Sequence, residues 1–336
     1  MAIFVVYKSV TMRKIQFRQA LQEAMTEEMR KDPQIFLMGE EVAEYNGAYK
    51  VSQGMLAEFG PKRVVDTPIS ESGFAGLGIG AAMNGLRPII EFMTFNFSLV
   101  AIDQVINSAA KMLSMSGGQF SVPIVFRGPT GNAGMLAAQH SQNFENWYAN
   151  CPGLKVVVPA NPYDAKGLLK SAIRDNDPII FMESELMYGD QGAVPENEYF
   201  IPIGQASVVK PGRDATLVSF GKMMKVAWEA THTLQEQGIA VELIDMRTVR
   251  PLDIACVIQS VQKTNRLVIV EEAWPLGSIA SEIAYQVQKH AFDYLDAPIQ
   301  KVNSADVPLS YAPTLIQEIL PNAAKTIQAL NAVLYR

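Results

Sequence analysis

Residues 66–92 read DTPISESGFAGLGIGAAMNGLRPIIEF, and this stretch predicts one helix followed by one strand. Residues 74–84 combine glycine, alanine and large apolar side chains, which predicts a helix that packs closely against its neighbours. Residues 87–92 form a short apolar run, which is typical of a strand buried on both faces. A helix and a buried strand in close succession are the repeating unit of a parallel α/β sheet.

The same alternation continues on both sides of this stretch. Predicted helices cover residues 15–31, 97–115, 164–174, 223–237 and 279–289. Predicted strands cover residues 35–38, 122–126, 179–182, 216–220, 240–244 and 267–270. Residues 185–202 are rich in Gly, Pro and Glu and predict an interdomain linker. We therefore expect an α/β chain of two successive doubly wound domains, at residues 13–190 and 203–336.

The composition is that of a folded, mildly acidic chain. Of its 336 residues 49% are hydrophobic, which suffices for two packed cores. There are 28 Lys and Arg residues against 34 Asp and Glu residues, and the net charge of −6 argues against nucleic acid or an anionic membrane as the main partner. No apolar run is long enough for a transmembrane helix. Cys151 and Cys256 lack the spacing of a zinc site and predict two reduced, buried thiols.

The N-terminus carries a short apolar patch within residues 1–14 but no complete signal-peptide pattern. Met12 is an alternative start, so the sequence leaves open whether residues 1–11 are native. The expected compartment is a bacterial cytoplasm, and the alternative is the mitochondrial matrix for a mature chain.

The glycines of the predicted helix do not form a dinucleotide fingerprint, because Gly76, Gly78 and Gly80 fall inside the helix rather than at a strand-to-helix turn. Gly73, Gly76 and Gly80 instead share one helical face and favour close packing, inside the fold or across a subunit interface. Glu71 lies at the start of this helix. Doubly wound sheets bind ligands at such connections, whereas the plainer interpretation is a first-turn glutamate that complements the helix dipole.

The segment around Glu71 resembles the pyrimidine-domain signature of thiamine diphosphate enzymes, to which Glu71, Gly76, Leu77, Gly80 and Ala81 correspond in order. From about residue 15 onward the chain is similar to the beta subunits of the pyruvate dehydrogenase first component, a transketolase-like family. The stretches that carry this similarity are GEEVA (39–43), GAYKVS (47–52), EFMTFNF (91–97), AQHSQ (138–142), SAIRD (171–175) and DMRTVRP (245–251). The resemblance implies a thiamine diphosphate pyrimidine-binding domain followed by a transketolase C-terminal-like domain.

The resemblance also implies a binding site for the cofactor ring. Glu71 would hydrogen-bond the aminopyrimidine ring and take part in its proton exchange. Ile69, Met93 and Phe97 would form the apolar pocket around that ring, and the alternative for these three residues is ordinary hydrophobic core.

Two further residues receive catalytic roles from the resemblance. Glu40 corresponds to a position on an acidic proton route between paired active sites, and the alternative is a solvated loop acid. His140 would lie near the reacting end of the cofactor and orient an intermediate or the incoming lipoyl group. The alternative for His140 is a hydrogen-bonded structural histidine.

One motif of thiamine diphosphate enzymes is missing from the sequence. These enzymes hold magnesium on the diphosphate with a Gly-Asp-Gly motif, and the nearest match here is GDQG at residues 189–192. The resemblance implies a heterotetramer of two alpha and two beta chains, in which the alpha subunit holds the diphosphate and the magnesium ion.

Some members of the family also hold a structural potassium ion in the beta subunit. The corresponding positions are Ile124, Ala172, Ile173, Asp175 and Asp177. Asp177 departs from the Asn that is more usual in the family, which changes the charge of such a site. The alternative is a simple turn from helix to strand.

The implied reaction is the oxidative decarboxylation of pyruvate and the reductive acetylation of a lipoyl group on dihydrolipoamide acetyltransferase. It would take place in the pyruvate dehydrogenase complex, which makes acetyl-CoA downstream of glycolysis. One alternative is the beta subunit of a branched-chain 2-oxoacid or acetoin dehydrogenase, since the alpha subunit shares in substrate selection. Another is a non-catalytic scaffold of the same fold, which would have no use for the carboxyl group of Glu71.

Overall fold

Strands and helices alternate along the chain. The computed structural model describes residues 11–336, so the question of the native start and most of the apolar patch lie outside the described residues. The first half of the chain contains β1 (Met12–Gln16), α1 (Phe17–Lys31), β2 (Ile35–Gly39), α2 (Met55–Phe59), β3 (Val64–Asp66), α3 (Glu71–Met83), β4 (Arg87–Glu91), α4 (Met112–Met115), β5 (Val125–Pro129), α5 (Glu145–Ala149), β6 (Lys155–Val157), α6 (Pro162–Arg174), β7 (Ile179–Glu183) and β8 (Gln191–Pro195).

The second half repeats the alternation on a smaller scale. It contains β9 (Ser207–Lys210), β10 (Ala215–Ser219), α7 (Met223–Glu236), β11 (Val241–Asp245), β12 (Thr248–Arg250), α8 (Ile254–Thr264), β13 (Leu267–Val270), α9 (Ile279–Ala291), β14 (Gln300–Val302), α10 (Pro313–Ile319) and α11 (Ala323–Val333). Among residues 11–336, no helix has both the length and the apolar character needed to cross a bilayer.

Two parallel sheets form the centres of the two domains. The seven-stranded sheet has the order β12-β6-β7-β5-β4-β2-β3, and the five-stranded sheet has the order β14-β13-β10-β11-β9. Only the edge strands β12 and β9 run antiparallel to their neighbours within these sheets. The predicted class, α/β with two successive doubly wound domains, is therefore confirmed.

The strand pattern of the large sheet explains its two helical layers. Successive residues of a strand point to opposite faces. Leu37 packs in the same cluster as the apolar residues of α1 and α6, whereas Met38 packs in the cluster that contains Phe74 of α3. Apolar residues in an unbroken run thus bury both faces of the sheet.

The prediction was wrong at the start of the first helix, and the expected linker contains a strand that the sequence pattern did not indicate. β1 and β8 pair as an antiparallel two-stranded sheet, with Ile15 opposite Gly192. α1 consequently begins at Phe17, whose N–H donates to the carbonyl of Asp190 at 2.8 Å, rather than at residue 15. Residues 185–202 are therefore partly a strand that returns to the first domain. Local periodicity does not reveal a strand whose only partner lies far away along the chain.

The predicted helix at residues 97–115 is present as a helical segment but is not a single α-helix. It begins as a 3₁₀ helix at Phe95–Ala101, continues through a π-helical turn at Gln104–Ala109 and ends as α4. The hydroxyl of Ser98 donates to the carbonyl of Phe95 at 2.6 Å, which competes with the α-helical pattern. In addition, a Cβ on Gly153 would lie 2.0 Å from the carbonyl oxygen of Ala110, so another backbone crosses this segment closely.

The two domains share structure that the sequence pattern did not indicate. β12 comes from the second half of the chain but joins β6 at the edge of the first sheet, where Thr248 lies opposite Val157. One apolar cluster also extends across the boundary and includes Phe126 of β5 and Ile244 of β11. Of the two free cysteines, Cys151 is buried as predicted and Cys256 is only partly buried.

Candidate functional site

The carboxyl ends of four parallel strands meet at one edge of the large sheet. Gly39 of β2 lies opposite Glu91 of β4, and Pro129 of β5 lies opposite Glu183 of β7. Residues that follow these strands therefore surround a common space, which is where doubly wound folds bind ligands. A cavity of about 220 Å³, here called the cleft, opens at this edge.

All six residues predicted to be catalytic or to contact the cofactor line the cleft: Glu40, Ile69, Glu71, Met93, Phe97 and His140. The cleft also has eight lining residues that the sequence did not single out: Tyr49, Thr94, Pro129, Thr130, Gly131, Ala133, Leu136 and Glu185. Several of these eight come directly after β4, β5 or β7, so their position at a strand end was the signal that could have identified them.

Two buried carboxyl groups line the cleft, those of Glu40 and Glu71, which are here called the acid pair. Glu71 is the first residue of α3 and Glu40 directly follows β2, and the two residues are 6% and 7% exposed. The Oε1 atom of Glu40 is buried and has no hydrogen-bond partner among the described residues. Burial, together with the negative charges of Glu71 and Glu91, raises the pKa of Glu40 to about 7. A carboxyl group that is half protonated near neutral pH is suited to proton exchange.

The three predicted pocket residues are not ordinary hydrophobic core. Ile69, in the turn before α3, is 84% exposed, and Met93 and Phe97 are only partly buried although they border the cleft. Large apolar side chains that remain accessible beside a few polar groups are characteristic of small-molecule sites.

His140 lies at the end of a short 3₁₀ turn, Ala138–His140, and packs edge-on against Phe97. The ring centroids are 5.0 Å apart and the ring planes are at 90°. The loop is tied to the same segment by the N–H of Gln142, which donates to Asn96 Oδ1 at 2.9 Å. The imidazole is partly exposed, so it is accessible to a molecule in the cleft.

A second polar group, here called the arginine cluster, lies next to the acid pair. It consists of Glu91, Arg127, Glu183 and Tyr188. Arg127 is fully buried and donates to Glu183 through two nitrogens, at 2.6 and 2.5 Å, and to Glu91 through a third. Tyr188 also donates to Glu183, at 2.7 Å. Although burial opposes its charge, Glu183 and Glu91 raise the pKa of the Arg127 guanidinium, which therefore stays protonated.

The five predicted potassium positions lie together where α6 leads into β7, but their groups already have partners. Arg87 donates to the carbonyls of Ile173 and Asp175, at 3.0 and 2.6 Å. The carbonyls of Ala172 and Ile124 accept backbone N–H groups. The Lys155 ammonium is 2.7 Å from Asp175 and 3.0 Å from Asp177. Potassium at this turn stays a prediction.

Within residues 11–336 there is no group of three or more His, Cys, Asp or Glu side chains that could hold a metal ion. Asp190, in the closest match to the missing motif, forms a salt bridge with Lys225 instead. The apolar walls and the buried acids of the cleft fit the pyrimidine part of thiamine diphosphate.

Two family descriptions match the chain. The family described as transketolase, pyrimidine binding domain, matches residues 13–191, and the family described as transketolase, C-terminal domain, matches residues 204–326. The first match covers more than half of the chain and includes every strand that borders the cleft.

The similarity to individual proteins extends over nearly the whole chain. A protein of Rhizobium meliloti (strain 1021) named pyruvate dehydrogenase E1 component subunit beta is 59% identical over 95% of this chain and 70% of its own length. A protein of the same name from Rickettsia felis is 54% identical over 96% of this chain and 99% of its own length. The rice protein named pyruvate dehydrogenase E1 component subunit beta-2, mitochondrial, is 50% identical over 98% of this chain and 88% of its own length.

A solved structure supports the same fold. The structure described as a split gene transketolase, inactive beta4 tetramer, superimposes with a TM-score of 0.78 at 21% identity, over 96% of this chain and 99% of its own. The fold, the six cleft residues and the relatives agree with one another. The chain belongs to the family of pyruvate dehydrogenase E1 component beta subunits, within the transketolase-like proteins.

Proposed function

We propose that this chain is the beta subunit of a pyruvate dehydrogenase (acetyl-transferring) and works in oxidative decarboxylation of pyruvate and reductive acetylation of a lipoyl group. The observation that carries the proposal is the convergence of Glu40, Glu71 and His140 on one cleft with apolar walls. The relatives at 50–59% identity bear the pyruvate dehydrogenase name, which favours pyruvate over a branched-chain 2-oxoacid or acetoin. A non-catalytic scaffold would gain nothing from a buried acid pair in an open cleft.

The family uses thiamine diphosphate, which when bound supplies a ring carbon that adds to the carbonyl of a 2-oxoacid. Ile69, Met93 and Phe97 would cover the faces of the pyrimidine ring and exclude water from it. Glu71 would hold a proton at the ring nitrogen that faces it.

Glu40 would act as the proton reservoir for Glu71. Its pKa of about 7 lets it accept or release a proton near neutral pH, and its Oε1 atom has no competing partner. His140, held against Phe97, would orient the substrate or the lipoyl group at the accessible end of the cleft.

The other half of the site requires a second chain. Since the Gly-Asp-Gly motif that holds magnesium in thiamine diphosphate enzymes is missing from this sequence, we propose that an alpha subunit binds magnesium and the diphosphate, in an assembly of two alpha and two beta chains. The lipoyl-bearing dihydrolipoamide acetyltransferase is the proposed acceptor of the acetyl group. The proposed compartment is a bacterial cytoplasm, and the mitochondrial matrix is the alternative, since relatives from both settings match.

The decisive experiment uses the chain assembled with its alpha partner. Glu71→Gln should lower the rate of pyruvate decarboxylation by at least about a hundredfold, because the amide cannot exchange the proton, while assembly stays intact. Glu41→Gln is the matched control, since Glu41 is exposed and does not line the cleft. An assembled Glu71→Gln enzyme that retains most of its activity would refute the assigned role.

A binding experiment tests the divided site separately. The chain alone should bind thiamine diphosphate weakly in calorimetry, and the assembled enzyme should bind it tightly in the presence of magnesium. Tight magnesium-dependent binding by the isolated chain would contradict the assignment of the diphosphate to the partner.

A further inference from the structure

Residues 130–143, here called the cleft loop, connect β5 to α5 and carry His140. The middle of the cleft loop is exposed, with Met135 at 54% and Leu136 at 44%. Met135 and Ala137 also adopt positive φ angles of 58° and 63°, which non-glycine residues rarely do and which cost free energy. The conformation of this loop therefore depends on contacts that hold it from outside.

Such contacts come from the second domain and act on the main chain of Asn132. Its N–H donates to Glu272 Oε1 at 2.5 Å, and its carbonyl accepts from Lys222 Nζ at 2.7 Å. Lys222 and Glu272 are joined to each other by a salt bridge of 2.6 Å through Glu272 Oε2. One ion pair thus satisfies both hydrogen-bonding groups of a single residue in the cleft loop.

The position of this ion pair in the fold is specific. Lys222 follows β10 and Glu272 follows β13, two neighbouring parallel strands of the five-stranded sheet. The carboxyl edge of such a sheet is the usual ligand-binding edge of a doubly wound domain. Here that edge receives the backbone of the first domain, with the two side chains only 10% and 7% exposed. Water therefore competes little with these hydrogen bonds.

The position of Gly131 shows how closely Glu272 approaches the backbone of the cleft loop. Gly131 has a φ of +75°, and a Cβ built on it would lie 2.5 Å from Asn143 Oδ1 and 2.9 Å from Glu272 Oε2. The base of the cleft loop is also closed on itself, since the N–H of Gly131 donates to the carbonyl of Gln142 at 3.0 Å. The ion pair therefore holds one end of the cleft loop directly, and the backbone hydrogen bond of Gly131 ties the other end to it.

We propose that the ion pair of Lys222 and Glu272 is a positioning device, which fixes the cleft loop and thereby the place of His140 in the cleft. Neither side chain lines the cleft, so both act through the loop and not on the substrate. The catalytic consequence rests on the proposed function, whereas the structural effect does not.

Hydrogen exchange followed by mass spectrometry on the full chain tests the structural effect. In Lys222→Met, peptides that cover residues 130–143 should exchange about tenfold faster, because the loop opens more often, while peptides of β10 and β13 stay unchanged. Lys222→Arg should restore slow exchange. Lys225→Met is the matched control, because Lys225 lies three residues after Lys222 in the first turn of α7 but pairs with Asp190. Unchanged exchange in the cleft loop of Lys222→Met would overturn the proposal.

A second variant guards against misfolding. Lys222→Met leaves Glu272 buried without its cation, so Lys222→Met combined with Glu272→Met removes both charges and both hydrogen bonds to Asn132, and it should show the same fast exchange. If the double variant folds and its cleft loop exchanges as slowly as the wild type, the ion pair does not hold the loop and the proposal is wrong.

Activity in the assembled enzyme tests the positioning role. Lys222→Met should lower kcat for pyruvate by roughly tenfold, and Lys222→Arg should recover it in parallel with slow exchange. Fast loop exchange with an unchanged kcat would overturn the positioning role. A wild-type assembly that is inactive on pyruvate would instead refute the proposed function, and the exchange experiment would still decide whether the ion pair holds the loop.

Discussion

The acid pair and the arginine cluster lie side by side at the same edge of the large sheet, yet they are built in opposite ways. In the arginine cluster, two buried acids share a guanidinium through hydrogen bonds of 2.5 to 2.6 Å and a further contact. In the acid pair, neither glutamate forms a salt bridge among the described residues, and one buried oxygen of Glu40 has no hydrogen-bond partner.

The two groups differ in whether a cation compensates the charge of their buried carboxyl groups. A buried carboxylate that is paired with a cation has its charge compensated and its hydrogen bonds formed, so its role is structural. A buried carboxyl group without a cation is costly, and such groups are retained where their protons are used. Because the acid pair also faces an open cleft, it has both an exchangeable proton and access to a ligand. Glu91 links the two groups, since its charge contributes to the raised pKa of Glu40.

The largest expected effect comes from removing the cation of the arginine cluster. Arg127→Met should lower the free energy of unfolding by about 3–5 kcal/mol, because Glu91 and Glu183 stay buried without compensation. Urea denaturation of the full chain measures this loss. Glu71→Gln, in contrast, should lose activity with little change in the denaturation midpoint. A stable Arg127→Met chain would show that the two groups do not differ as described.

A smaller effect is expected from the pH dependence of the acid pair. The pKa of Glu40 is about 7 in the folded chain, against an ordinary value of 4.5. Between these values the folded chain keeps a proton that the unfolded chain has released, so this group makes stability fall as the pH rises through that window.

Glu40→Gln removes this dependence. Relative to wild type, the variant should gain about 1–2 kcal/mol of stability between about pH 5 and about pH 8, which is less than the full shift implies because the open cleft admits screening water. Thermal unfolding at the two pH values measures the gain. Glu41→Gln should show no such gain, and an equal response of the two variants would contradict the shifted pKa.

The smallest expected effect tests whether burial, rather than bidentate geometry, makes the loss of an arginine costly. Arg30 and Glu58 form a bidentate pair like that of Arg127 and Glu183, but their side chains are 58% and 38% exposed. Arg30→Ala should therefore cost less than about 1 kcal/mol, because water replaces the lost contact. The same urea experiment compares it with Arg127→Met. Similar losses for the two variants would show that geometry outweighs burial.

Part of the site was predictable because its residues belong to local patterns. Glu71 stands in a recognisable signature, and Glu40, Met93 and Phe97 lie in stretches that resemble one family. The alternation of helices and strands then implied that residues after parallel strands meet at one edge. Lys222 and Glu272 belong to no such pattern, because their role depends on a loop from the other domain.

The amino-acid sequence was enough to predict the α/β class, the order of most strands and helices and the acid pair of the cleft, but not Glu185, the third acid that lines it. These features follow from local periodicity and from short motifs, which depend on neighbours along the chain. Tertiary structure alone decided the pairing of β1 with β8 and the transfer of β12 to the first sheet. It also decided which carboxyl groups have a cation and which do not. The physical reason is the same throughout: pairing, burial and charge compensation depend on groups that are distant in sequence and become neighbours only in the folded chain.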